Sequence, residues 1–85
     1  MTTRTPHAKI RARVEELGGT LIRQDLWATG GGWDGVVFWR RTDDDYVTHR
    51  ITWNGEALIH GHYGLTFEEA TEDYRERLAA IRPRY

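Results

Sequence analysis

The sequence predicts an α+β domain: a four-stranded antiparallel meander with an N-terminal and a C-terminal helix packed on one of its faces. Three observations lead there. All four tryptophans, Trp27, Trp33, Trp39 and Trp53, fall in the middle of the chain, between two polar, helix-patterned ends. Turns rich in Gly, Asp or Asn separate the segments that carry them. Two amphipathic helices each need an apolar surface, and a sheet supplies it.

The elements follow in chain order. Met1 to Arg4 reads as a disordered start, after which Thr5 serves as an N-cap with Pro6 in the first helical turn, where a missing N–H is harmless. Ile10, Val14 and Leu17 recur at helical spacing, and Gly18-Gly19 ends the helix at a left-handed position. Thr20 to Ala28 is a strand whose alternation is too imperfect to assign its faces. Thr29 to Gly35 has the composition of a mobile loop, and Val36 to Thr42 is the second strand. Asp43-Asp44-Asp45 forms the next turn. Tyr46 to Trp53 and Glu56 to Tyr63 make a hairpin around Asn54-Gly55, a strong short-range hairpin signal. Thr66-Phe67-Glu68-Glu69 is a capping box that opens the last helix. Phe67, Ala70, Tyr74, Leu78 and Ile81 line one face of that helix, and Pro83 stops it.

Bulk composition narrows the function classes. At 85 residues the chain reads as a single compact domain, residues 1–85. A domain near this size buries only about 60–65% of its unfolded surface, so close aromatic packing or self-association has to support it. The chain has no cysteine, which excludes disulfide staples and thiolate zinc sites. It shows neither an apolar run long enough for a membrane span nor a signal-peptide core, so the expected compartment is the cytoplasm. A net charge of −1 gives no global attraction to nucleic acid.

Two registers compete at Asn54-Gly55. A two-residue turn pairs Ile51 with Leu58 and His49 with His60, which draws His49, His60 and His62 toward a three-histidine metal site. A three-residue turn with a bulge pairs Thr52 with Glu56 and moves one strand's side chains to the other face. The bulged register sorts polar from apolar residues better. It places Val47, His49, Ile51, Ala57, Ile59 and Tyr63 on one face and Thr48, Arg50, Thr52, Glu56, Leu58, His60 and His62 on the other. The bulged turn is therefore favoured, His49 parts from the other two histidines, and no metal or other cofactor is assigned.

Two resemblances have limited reach. The segment Gly64 to Ala70 resembles the strand-to-helix junction of HicB-type antitoxins over seven residues, mostly a capping box, and carries no family assignment. The overall order is similar to double-stranded-RNA-binding modules but has an extra strand, and Glu68 and Glu69 stand where those modules carry lysines.

Catalysis has no visible constellation: the chain contains neither cysteine nor serine, and Gly30-Gly31-Gly32 lacks the rest of a phosphate loop. The expectation is a non-enzymatic regulator or inhibitor, of a kind carried by bacteria or phages, that occludes a protein partner. Trp33 on its Gly-rich loop is the first candidate anchor. The second is a patch on the uncovered sheet face comprising Arg40, Tyr46, Arg50, Leu58, His60 and His62, with Arg41 and Thr48 beside it. The same face offers a nucleic-acid platform or a homodimer interface as alternatives.

Overall fold

The computed structural model describes residues 6–81. The elements are α1 (His7–Glu16), β1 (Thr20–Thr29), β2 (Gly32–Thr42), β3 (Asp45–Ile51), β4 (Leu58–Leu65) and α2 (Phe67–Ile81). The strands form one antiparallel sheet in the order β1-β2-β3-β4. Class, element order and meander are as predicted. The disordered start, the Thr5 cap and the Pro83 stop lie outside the described residues.

Helix placement departs from the prediction. Ile10 and Val14 of α1 pack with Val37, Trp39, Val47 and Ile51, whereas Ala70, Tyr74 and Leu78 of α2 pack with Val36 and Phe38. Successive β2 side chains point to opposite faces, so the two helices cover opposite faces of the sheet. The cause is the run Val36-Val37-Phe38-Trp39, in which every side chain is buried. A strand that is apolar on both sides needs a covering layer on each. The uncovered face of the sequence reading therefore does not exist as a whole face.

Local signals explain the helix ends. Gly18 adopts φ +82°, and the Gly19 N–H reaches back to the Val14 carbonyl at 3.0 Å, closing α1. A Cβ at Gly19 would sit 2.2 Å from the Trp39 ring, so the helix exit is also a close packing contact. Leu17, expected on the buried stripe, lies at the C-cap and is half exposed. The capping box at α2 forms in both directions: the Glu69 N–H donates to Thr66 Oγ1 at 3.1 Å and the Thr66 N–H to Glu69 Oε1 at 2.9 Å.

The expected loop at Thr29–Gly35 is mostly strand. Thr29 pairs with Gly32 across a two-residue Gly30-Gly31 turn, and Trp33, Asp34 and Gly35 continue the ladder opposite Ala28, Trp27 and Leu26. Tertiary bonds hold this stretch: the Trp33 N–H donates to the Trp53 carbonyl at 2.6 Å, and Asp34 pairs with Arg50 at 2.9 Å. The imperfect alternation of β1 also resolves. A bulge between Leu21 and Arg23 leaves Ile22 unpaired with β2. Beyond it, Gln24 and Leu26 lie on the α1 side while Arg23, Asp25 and Trp27 lie on the α2 side.

The β3–β4 register also differs from the favoured one. Ile51 pairs with Leu58 and Arg50 with Ile59, the pairing of the tighter turn, although the connection itself runs from Thr52 to Ala57. Two shifts then follow along the ladder, so Thr48 faces His62 and Tyr46 faces Leu65. Leu58 and Tyr63 consequently join His49 on the α1 side, and Ile59 and His62 join Thr48 on the α2 side. Burying Leu58 with Ile51 decides the register at the loop, and the bulges restore the polar and apolar sorting further along.

No helix among the described residues is long and apolar enough to cross a membrane.

Candidate functional site

The predicted site residues do not form one patch. Trp33 is half-buried against the α1-side core. Tyr46 sits at the α2 side, edge-on to Phe38 and Phe67 with ring centroids 6.1 and 5.5 Å away. Arg50 on the same side directs its guanidinium to both oxygens of Asp34, at 2.9 and 3.1 Å. Leu58 packs on the opposite side, and Arg40 is exposed on β2. His60, in a bulge at φ +52°, is exposed, and its carbonyl accepts from Arg77.

What the fold does gather is a polar seam where β3, β4 and α2 meet. The buried Thr48 hydroxyl donates to Asp73 Oδ2, which also accepts from His62 Nδ1 at 2.9 Å and Arg77 Nε at 3.2 Å. Burial alone would push the Asp73 carboxyl up, yet the hydrogen bonds from Thr48, His62 and Arg77 outweigh it and hold the group below the usual carboxylate range. Sequence reasoning paired Thr48 with His62 on one face but missed Asp73. Its one signal was its position in the last helix, three residues after Ala70 and one before Tyr74, at the edge of the apolar stripe.

The other side carries a second network. Trp39 Nε1–H donates to His49 Nδ1 at 3.1 Å, and the imidazole stacks on the indole with an interplanar angle of 14°. An indole can only donate, so the neutral imidazole carries its proton on Nε2 and donates it to the Tyr63 hydroxyl at 2.8 Å. Burial, followed by the positive charges of Arg77 and His62, lowers the His49 pKa to about 4. His49 and His62 point to opposite faces, and the described residues hold no cluster of three metal-ligating side chains.

Among the tryptophans the exposed one is Trp53, at 71%, whereas Trp39 is buried and Trp27 and Trp33 are half-buried. Trp53 projects from the β3–β4 loop, whose backbone is closely tied. The Thr52 N–H donates to the Ala57 carbonyl at 3.0 Å, the Gly55 N–H to the Thr52 carbonyl at 2.8 Å, and the Glu56 N–H to Asn54 Oδ1 at 3.2 Å. Gly55 adopts φ +70°, and a Cβ there would lie 2.6 Å from Pro6. Glycine is thus required twice over, and the loop is pressed against the start of α1. The Trp33 N–H bond to the Trp53 carbonyl fixes its other side to β2. An indole on a braced backbone can fill a partner's pocket with little ordering to be done on binding.

Charge is segregated on α2. Glu68, Glu69, Glu72, Asp73 and Glu76 line an open groove beside Leu65 on the β4 side. Comparison of the chain with family models, curated proteins and solved structures found no match.

Proposed function

We propose that this domain is a non-enzymatic, protein-binding regulator or inhibitor that occludes its partner, with Trp53 as the anchor. The observation that carries this reading is the large exposed indole on a loop held by its own backbone hydrogen bonds, by the Trp33 N–H on one side and by contact with Pro6 on the other. Tryptophan is enriched among interface hot spots, and truncating such an anchor typically costs about 2 kcal/mol or more of binding. The acidic border of α2 supports a protein over a nucleic acid, because carboxylates repel phosphates. So does the placement of Phe38 and Tyr74, buried beneath α2 rather than offered for base stacking. A cytoplasmic setting and a bacterial or phage source belong to the same proposal and rest on composition and size.

Affinity capture with tagged protein, before and after nuclease treatment, tests it. A protein partner that survives nuclease and is lost with Trp53→Ala supports the reading. Trp53→Ala should leave folding nearly intact, within about 0.5–1 kcal/mol, because the ring is mostly solvated. Capture of nucleic acid instead, or capture of the same protein equally well by Trp53→Ala, refutes it.

A further inference from the structure

The two outer strands of the sheet are built differently. β4 is blunted: its ladder with β3 shifts twice, and His60 stands in a bulge at φ +52°. Side chains also cap its main chain, Asp45 Oδ1 on the Gly64 N–H at 2.8 Å and Arg77 on the His60 carbonyl. Bulges of this kind keep an edge from pairing with another chain. β1 has one bulge, between Leu21 and Arg23, and from Arg23 to Thr29 it runs in unbroken register against β2. Among the described residues no side chain bonds the main chain of that run, so its outer row of N–H and C=O groups faces water. Charge on an edge also deters pairing, but here Arg23 and Asp25 neutralise each other at 3.0 Å. The result is a regular, locally neutral edge, a template for one more strand.

The sequence of the edge suits a second copy of itself. Residues opposed in an antiparallel ladder share a face, so a two-fold axis must set one residue opposite its own copy. An axis at Asp25 opposes two carboxylates, which is unfavourable. An axis at Gln24 runs the pairing into the bulge, and one at Trp27 carries Arg23 and Gln24 past the end of the facing strand. An axis at Leu26 uses the whole run. Leu26 then meets Leu26, Gln24 meets Ala28, Arg23 meets Thr29 and Asp25 meets Trp27, with no like charges opposed. The last pair is complementary. Asp25 engages Arg23 and Tyr74 through Oδ2 alone, which leaves Oδ1 to accept. The Trp27 indole N–H makes no hydrogen bond among the described residues, and both side chains are half-buried on the α2 side.

We propose that the chain forms a homodimer by antiparallel pairing of β1 with β1 about a two-fold axis at Leu26, joining the two sheets into one of eight strands. Such a contact is the same on both copies, so it closes and leaves the blunted β4 edges outermost. The support that a domain of this size draws from self-association comes in this way through an edge and not through a sheet face. The inference stands apart from the protein-binding reading, and the dimer carries two Trp53 loops.

Light scattering of the whole chain, with sedimentation for the dissociation constant, tests it. The expected result is twice the chain mass, with slowed amide exchange along Arg23–Thr29 in the dimer. Thr29 is exposed at the end of the run, so substitutions there spare the core. Thr29→Arg opposes Arg23 at both ends of the interface and should weaken the dimer roughly fivefold, and Thr29→Glu should tighten it by a similar factor. Because the chain has no cysteine, Leu26→Cys offers a single thiol at the axis and should cross-link on mild oxidation, whereas His60→Cys on the β4 edge should not. Circular dichroism confirms that each variant is folded. A monomer up to roughly millimolar protein overturns the proposal. So does a dimer that Thr29→Arg and Thr29→Glu leave equally tight, or that Trp53→Ala dissociates, since the indole would then be the interface.

Discussion

Protonating His49 should destabilise the fold across a defined pH window. Its pKa is about 4 in the folded state, against an ordinary value of 6.5. Between those values the unfolded chain binds the proton and the folded chain does not, so stability is fully present above about pH 6.5 and is lost as pH falls toward 4. Each pKa unit is worth about 1.4 kcal/mol, so the whole gap corresponds to about 3 kcal/mol, of which about 2 kcal/mol should be gone by about pH 4.5. The ring is only 3% exposed, so solvent screening takes little from this figure. The physical origin is burial first, then the positive charges of Arg77 and His62; a proton on Nδ1 would also face the donating Trp39 indole N–H. Urea unfolding at about pH 7 and about pH 4.5 measures the loss. His49→Gln keeps an acceptor for Trp39 without titrating, and the difference between its pH dependence and that of the unaltered protein isolates His49 from the other histidines. Identical pH dependence in both proteins would refute the reasoning. So would an imidazole NMR titration of His49 centred near 6.5, or a neutral ring carrying its proton on Nδ1.

Two further outcomes follow from packing and hydrogen bonding. Thr48→Val leaves Asp73 without its buried donor and should cost about 1–3 kcal/mol; in a double-mutant cycle with Asp73→Asn by urea unfolding, the two changes should be markedly non-additive, and simple additivity would show that they are not coupled. Gly19→Ala drives a methyl into the Trp39 ring and should destabilise by about 1–3 kcal/mol, measured as a lowered thermal midpoint; an unchanged midpoint would mean that the helix exit relaxes freely.

Features that depend on near neighbours in the chain were legible in advance. The capping box at Thr66 and Glu69, the left-handed Gly18, the turn at Asp43-Asp44 and the order of the elements all arise from hydrogen bonds or backbone preferences spanning a few residues. The candidate site was legible only in fragments: Thr48 and His62 share a face as expected, but the candidate anchor Trp33 is half-buried and the exposed indole is Trp53. That choice is made by one backbone bond between residues twenty positions apart and by Pro6 closing on Gly55, neither of which has a local trace. Tertiary packing likewise decided that the helices take opposite faces, because the run Val36 to Trp39 can be satisfied only by a layer on each side. It also chose the β3–β4 register, where burial of Leu58 with Ile51 set the pairing at the loop and bulges further along the ladder restored the polar and apolar sorting that had favoured the other register. Side-chain period along a strand is two, so a shift of one residue exchanges its faces, and long-range burial selects between the alternatives.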